Sequence, residues 1–295
     1  MANLKEVRNR IVSVTSTMQI TSAMKMVSAA KLRRAQDAIV QMRPYAEKLK
    51  DILGNLSGSV DASEGGAYSV ERDPKKVLII LITSNRGLAG AFNTNVLKIA
   101  RQLITGKYAA QFAAGNVSFL CIGKKASDYV TRNKFNLYSS HNELFDRLAF
   151  DRVSPVAQRV MDAFSNKEFD RVELAYNRFR NAAVQIPTEE QYLPVVRTED
   201  AGTSKKNAAI DYIFEPDKAT IVSELIPKSL KIQIYKAILD SHAAEHGARM
   251  TAMNKATDNA RDLIKELKLS YNKARQAAIT NEILEIVGGA EALNG

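Results

Sequence analysis

Cysteine, histidine and tryptophan are nearly missing from this sequence. Its 295 residues include one cysteine, three histidines and no tryptophan. Cys121 has no second cysteine to pair with and lies in an apolar run, so we expect a core residue in a reducing compartment. His242 and His246 have the i, i+4 spacing of a helical zinc pair, but Glu245 does not form an H-E-x-x-H pattern and no other ligand is near. We therefore expect a polar helix face at the histidines and no metal or other cofactor.

Long apolar runs are also missing. The longest, Val77 to Ile82, is far shorter than the roughly 20 residues of a membrane-spanning helix. No pattern of charged, apolar and small residues typical of a signal peptide precedes Asn3. We expect a soluble or peripheral protein.

Motifs for catalysis are not evident. No serine stands in a G-x-S-x-G setting, and Cys121 has no evident base. Residues 83–92 lie between a predicted strand and a helix, where α/β proteins bind phosphates, but they lack the G-x-G-x-x-G and P-loop patterns. The tight turn accounts for Gly87, and we expect Arg86 to be an exposed charge that can contact a partner. We expect a chain that is not itself an enzyme, with nucleotide binding as the alternative.

Glycine and proline are scarce in the C-terminal part of the chain. Between Pro227 and Val287 the only glycine is Gly247, and strong helix formers dominate. This predicts a single helix of about 90 Å, ended by Gly288-Gly289. Its predicted seam, rich in alanine, follows alternating spacings of three and four: Leu230, Ile234, Ala237, Ser241, Ala244, Ala248, Ala252, Ala256, Ala260, Leu263, Leu267, Tyr271, Ala274 and Ala278.

The N-terminal residues 3–57 predict a second long helix. Asn3 and Glu6 form a capping-box pattern, and glycine is absent until Gly54. Pro44 predicts a kink. The two helices together predict an antiparallel coiled coil. The apolar seam predicted for this helix contains Leu4, Val7, Ile11, Val14, Met18, Ile20, Met24, Val27, Leu32, Ala35, Ile39, Leu49 and Leu53.

The positive charge is concentrated at the N-terminal end. The chain has a net charge of +10, and residues 1–50 alone hold ten Lys and Arg against three Asp and Glu. Such a field favours an acidic partner, which could be nucleic acid, anionic lipid or an acidic protein surface. A solvated helix face is the simpler alternative.

The middle of the chain predicts an α/β domain inserted between the two helices. Continuous β-branched runs are typical of strands buried on both faces of a parallel sheet. We predict domain boundaries at 1–57, 75–215 and 217–295, with a polar loop at 198–209. Predicted strands are 76–82, 117–122, 135–139, 171–176, 183–193 and 211–214, and predicted helices are 88–104, 124–132 and 155–164.

Several segments, taken together and in order, resemble the gamma subunit of F-type ATP synthase. The match covers both ends of the chain and its centre, and the C-terminal block is the most specific part. The segments that carry the resemblance are Leu4 to Ile11, Ile20 to Val27, Ser84 to Gly90, His246 to Ala260 and Tyr271 to Ile283.

The resemblance implies a rotor shaft rather than an enzyme. The terminal helices would form a long antiparallel coiled coil inside a ring of three alpha and three beta subunits, with a Rossmann-like α/β domain as a foot outside it. Turning the shaft would couple transmembrane ion flow to ATP synthesis and hydrolysis, and the chain would regulate ATPase activity and proton flow. Further partners would be the epsilon subunit and the membrane ring of c subunits, with no nucleic acid. The absence of a transit peptide and of a regulatory cysteine pair favours a bacterial protein, peripheral on the cytoplasmic side of the plasma membrane.

The resemblance also implies contact residues. An acidic segment of the beta subunit would contact Met24, Lys25, Lys31, Arg34 and Arg86. Contacts higher in the ring would involve Arg249, Arg275, Gln276, Thr280 and Glu282, with Ile283 and Leu284 in an apolar tip that also includes Ile286 and Val287.

Overall fold

A computed structural model describes residues 4–57, 68–195 and 218–294. It has the predicted fold class, a five-stranded sheet domain between two long helices. The chain divides into two compact units, one formed by Met1–Ala29 with Arg249–Gly295 and the other by Ala30–Ala248. Both long helices therefore contribute residues to each unit.

The first long helix, α1, spans Leu4–Ser57, as predicted. It continues through Pro44, so this proline does not end the helix. The predicted kink stays a prediction.

The second long helix, α6, spans Lys218–Asn294 and is longer at both ends than predicted. It begins nine residues before Pro227, which lies inside it. The predicted stop at Gly288-Gly289 is wrong, because the helix runs through both residues. Each glycine costs about 1 kcal/mol relative to alanine, and the good helix formers that follow are sufficient to continue the helix. None of the helices in the described ranges is long and apolar enough to span a membrane.

The sheet has the order β3-β2-β1-β4-β5. Strands β1 to β4 are parallel, and β5 pairs antiparallel with β4 at the edge. Parallel strands require crossover helices, which cover both faces of this sheet. The strands are β1 Val77–Ile82, β2 Val117–Ile122, β3 Asn136–Ser140, β4 Arg171–Phe179 and β5 Gln185–Leu193.

The intervening helices differ from the prediction mainly at their starts. Helix α2 begins at Phe92 rather than at residue 88, because Leu88 and Gly90 have positive φ angles of 61° and 56°. Helix α5 begins at Phe150, five residues before Pro155. A π-helical turn at Leu103–Lys107 was not predicted. The helices are α2 Phe92–Gln102, α3 Ala109–Ala113, α4 Lys124–Arg132 and α5 Phe150–Ser165, with a 3-10 turn at Asn142–Phe145.

Two apolar layers enclose the sheet. One face packs on α5 and on the part of α6 around Ile234, and the other face packs on α2 and α4. Strands β1 and β2 are buried along their whole length. This explains why continuous apolar runs, rather than alternating ones, marked them in the sequence.

One carboxylate is completely buried in this core. Glu173 on β4 has no exposed surface, and its Oε1 accepts hydrogen bonds from Lys107 Nζ at 2.8 Å and from the Tyr108 hydroxyl at 2.5 Å. Burial alone would lower the pKa of Lys107, but the hydrogen bond and charge of Glu173 raise it to about 12. Burial, together with the same carboxylate, raises the pKa of Tyr108 to about 12. The cluster ties the π-helical turn to the sheet.

Some predictions lie outside the described residues. These are the loop at 198–209 and the strand at 211–214. The predicted domain boundaries follow the ends of elements, whereas the two compact units divide both long helices part-way along. That division into 1–57, 75–215 and 217–295 stays a prediction.

Candidate partner-binding surfaces

In the unit formed by residues 1–29 and 249–295, α1 has a seam that includes polar residues. Buried or half-buried residues recur along α1 at alternating spacings of four and three, which is the pattern of a coiled coil. The prediction that Ile20 and Val27 belong to this seam is wrong, because they are 60% and 57% exposed. The seam positions of α1 in this unit are Val7, Ile11, Val14, Met18, Thr21, Lys25 and Ser28.

In this unit, the facing seam of α6 begins one residue further along the chain than predicted. Met253 and Thr257 are 4% and 7% exposed, while Ala252 and Ala256 are only half-buried. The larger side chains bury more surface, so the helix turns them inward in preference to alanine. The seam then continues through Ala260, Ile264, Leu267, Tyr271 and Ala274.

Two polar contacts join the helices of this unit. The Oγ1 atoms of Thr21 and Thr257 are 2.8 Å apart, and Lys25 Nζ donates to Asn254 Oδ1 at 2.5 Å. Moving forward four residues on α1 corresponds to moving back three on α6, so the pairing is antiparallel, as predicted. Polar seam residues set the register of a coiled coil because a slipped register would leave them unpaired.

The contact at Lys25 continues along α6. Asn254 Nδ2 donates to Asp258 Oδ2 at 3.2 Å, and Arg261 donates to Asp258 Oδ1 at 2.8 Å. Arg261 also borders a shallow groove of about 260 Å³. The other residues lining the groove are Met18, Gln19, Ser22, Ala23, Met26 and Thr257.

The C-terminal end of α6 is exposed. Ile283 and Leu284 are 55% and 63% exposed, and Ile279, Ile286 and Val287 are similarly open. A row of large apolar side chains at one end of a helix marks an interaction surface. The predicted contact residues Arg275, Gln276, Thr280 and Glu282 also lie on this exposed part.

Three other predicted contact residues differ in their accessibility. Met24 and Lys25 are half-buried, whereas Arg249 is only 7% exposed. A partner could reach the first two directly. It would contact little of Arg249 without a change in its surroundings.

In the unit formed by residues 30–248, Lys31 and Arg34 are exposed on α1. Arg86 is also exposed, in the turn that follows β1, and the neighbouring Leu88 is 66% exposed at a positive φ angle. Left-handed backbone at a residue with a branched side chain is strained, and such strain concentrates at functional sites. The turn therefore presents a cation and an apolar side chain two residues apart in the sequence.

Two hydrogen bonds from the backbone to asparagine side chains hold this turn in place. The Ser84 amide donates to Asn93 Oδ1 at 3.0 Å, and the Lys124 amide donates to Asn85 Oδ1 at 2.9 Å. The amide of Ser84, which opens the turn, is thus already paired with a side chain. The geometry favours a rigid loop that presents Arg86 and Leu88 to a partner over a loop that binds a nucleotide.

The histidine pair is a hydrogen-bonded contact within α6. His242 and His246 approach to 3.1 Å between their Nε2 atoms, and His242 stacks on Phe145. No group of three or more potential metal ligands occurs among the residues that the structure describes. Cys121 is completely buried, and burial raises the pKa of its thiol to about 12, as befits a core residue.

Sequence reasoning missed Thr21, Asn254 and Asp258. The signal was present, because the regular spacing from Val7 to Ser28 passes through polar positions. The search for apolar residues moved the seam to Ile20 instead. A strict test of spacing, without regard to residue type, would have found it.

Comparisons with known proteins cover the whole chain. The family model described as "ATP synthase" matches residues 3–293. The ATP synthase gamma chain of Christiangramia forsetii is 55% identical over 295 residues, with 100% of each chain covered. The corresponding protein of Flavobacterium johnsoniae is 58% identical over 296 residues, again with 100% of each chain covered.

Solved structures share the fold. A chain in the OSCP/F1/c-ring structure of the Euglena gracilis mitochondrial ATP synthase, rotational state 3, has a TM-score of 0.68 at 22% identity. This match covers 98% of the present chain and 94% of the other. A chain in the rotor structure of the same enzyme has a TM-score of 0.63 at 20% identity, with 94% and 98% covered.

Proposed function

The chain belongs to the ATP synthase gamma-chain family, and from this membership we propose that it is a non-catalytic subunit that acts as the central rotor shaft. It couples transmembrane ion flow to ATP synthesis and hydrolysis in a ring of three alpha and three beta subunits, and it regulates ATPase activity and ion flow. The observation that supports this most strongly is the full-length identity of 55% to 58% with gamma chains.

The physical basis is the asymmetry of a single rod. A three-fold ring holds three equivalent catalytic sites, and a rod without that symmetry must contact each site differently. Turning the rod passes binding, closed and releasing states from one site to the next, because each state is favoured by its differential contacts. The shaft thereby changes nucleotide affinity without binding nucleotide itself.

Residues of each compact unit, most of them basic, contact an acidic segment of the beta subunit. These residues are Met24 and Lys25 in one unit and, separately, Lys31, Arg34 and Arg86 in the other. Ion pairs at exposed positions contribute only about 0–1 kcal/mol each, so the contacts can break and reform as the shaft turns. Strong, fully buried pairs would hold the shaft in place.

The exposed end of α6 forms the upper bearing. Ile283 and Leu284 lie in the apolar tip, and the exposed Arg275, Gln276, Thr280 and Glu282 contact the ring below it. Arg249 is buried and joins this contact only when its surroundings change. Apolar contacts are weak and involve no directional hydrogen bonds, so they allow the end of the helix to rotate within the ring.

The α/β domain is the foot of the shaft. It meets the epsilon subunit and the c-ring, and it belongs to a complex associated with a membrane. We place this chain peripherally on the cytoplasmic side of a bacterial plasma membrane. The proposed shaft function requires no cofactor.

Reconstitution tests the shaft directly. A mixture of alpha and beta subunits is assembled with and without this chain, and stoichiometry, ATP hydrolysis and ATP binding by the isolated chain are measured. We expect one copy per hexamer, faster hydrolysis in its presence and no ATP binding alone. Failure to assemble, or tight ATP binding by the isolated chain, would contradict the proposal.

A charge reversal tests the basic contact. Lys25→Glu places like charges against the acidic segment, so ATP-driven ion transport per ATP hydrolysed in reconstituted vesicles should fall. Lys98→Glu is the matched control, because Lys98 is exposed on α2 of the foot and has no assigned contact. Equal transport ratios in the two variants would refute the assignment of Lys25.

A further inference from the structure

Lys25 occupies a half-buried seam position of the coiled coil. It lies four residues after Thr21 and three before Ser28, both of which are buried. A lysine at such a position costs stability compared with an apolar residue. Its presence therefore indicates a role other than packing.

An uncharged group holds the ammonium of Lys25. Its Nζ donates to Asn254 Oδ1 at 2.5 Å. The amide of Asn254 can have only one orientation here, because Nδ2 cannot accept a hydrogen bond from an ammonium. Nδ2 in turn donates to Asp258 Oδ2 at 3.2 Å, which fixes the amide from its other side.

The charges of this cluster do not cancel at Lys25. The carboxylate of Asp258 is paired with Arg261 at 2.8 Å, so its charge is matched there. Asn254 positions the lysine but contributes no negative charge. A carboxylate in its place would also bind the ammonium, but it would neutralise the charge and would lose the hydrogen bond to Asp258.

We propose that Asn254 is a positioning residue that keeps the Lys25 ammonium in a fixed place with its charge intact, ready to pair with an acidic segment of a neighbouring subunit. The inference rests on the proposed shaft function, in which Lys25 meets such a segment. Asp258 supports it by orienting the amide. The neutrality of residue 254 thus determines the strength of the external contact.

The test uses the reconstituted complete complex with the Asn254→Asp, Lys25→Ala and double variants. ATP-driven ion transport per ATP hydrolysed is the readout. We expect Asn254→Asp to lower this ratio on the order of threefold, the scale of one partly exposed ion pair, and to match Lys25→Ala. The double variant should show no further loss, because both changes remove the same contact.

Thr257→Val is the matched control, since it changes the neighbouring polar contact without altering charge. Thermal unfolding of the isolated chains separates a role in stability from a role in contact. Asn254→Asp gains an ion pair with Lys25 but loses the hydrogen bond to Asp258 and faces its carboxylate, so we expect a melting temperature close to that of the wild type together with weaker coupling. Thr257→Val should keep the wild-type ratio.

The outcomes separate the two hypotheses. If Lys25→Ala lowers the ratio while Asn254→Asp does not, the proposed role of an uncharged residue 254 is overturned and the acidic contact stands. The positioning role is also overturned if losses in the double variant add up. If Lys25→Ala itself couples like the wild type, the acidic contact fails, and the role of Asn254 fails with it.

Discussion

Replacing Gly123 with alanine should destabilise the foot domain strongly. An added Cβ would lie 2.2 Å from the carbonyl oxygen of Thr83, whereas ordinary contact begins near 3.4 Å, so the backbone must move by about 1.2 Å. Gly123 also has a φ angle of +105°, a conformation that costs other residues about 1–3 kcal/mol. Because Thr83 is completely buried at the end of β1, we expect a total loss of at least about 3 kcal/mol in the free energy of unfolding.

Gly115→Ala provides the matched control. Gly115 has a φ angle of +74°, but nothing lies within 4 Å of its added Cβ, so only the backbone cost of about 1–2 kcal/mol applies. Urea unfolding can be followed by tyrosine fluorescence, since the chain has no tryptophan and Tyr108 and Tyr192 are buried in the foot. If Gly123→Ala were no less stable than Gly115→Ala, the close approach of Gly123 to Thr83 would be wrong.

Two further predictions concern titration and the seam. Tyr108 and Lys107 have pKa values raised to about 12 around Glu173, so their stabilising contribution is present below about pH 10 and is lost as the pH rises through 12. Tyr108→Phe should therefore flatten the fall of melting temperature with pH over that window, and an unchanged slope would contradict the shift. Replacing Thr21 and Thr257 together by valine should leave the melting temperature of the rod unchanged or higher, because both hydrogen-bonding partners are removed at once. A marked decrease in helical thermal stability, measured by circular dichroism, would show that the two hydroxyls contribute net stability.

Predictions from the sequence were best where one signal dominated. The β-branched run of β1 and the scarcity of glycine in the terminal segments predicted buried strands and long helices in the right places. Helix ends were harder, because Gly288-Gly289 is an ordinary stop signal that the flanking residues outweigh. The start of α2 depends on the positive φ angle of Leu88, which no propensity predicts.

The candidate surfaces were predicted only in part. Exposure at Ile283 and Leu284 fits a contact tip, and the resemblance supplied these positions. The seam at Lys25 could not be found by looking for apolar residues, because only its regular spacing marks it. The partner of Lys25, Asn254, lies 229 residues away. Long-range polar pairs of this kind have no local pattern.

Single-molecule rotation tests the central claim most directly. A probe attached to the foot domain of this chain is observed in an immobilised complex with alpha and beta subunits while ATP is supplied. The shaft function predicts unidirectional rotation in three-fold steps whose rate depends on ATP concentration. A complex that hydrolyses ATP while the probe stays still would contradict it.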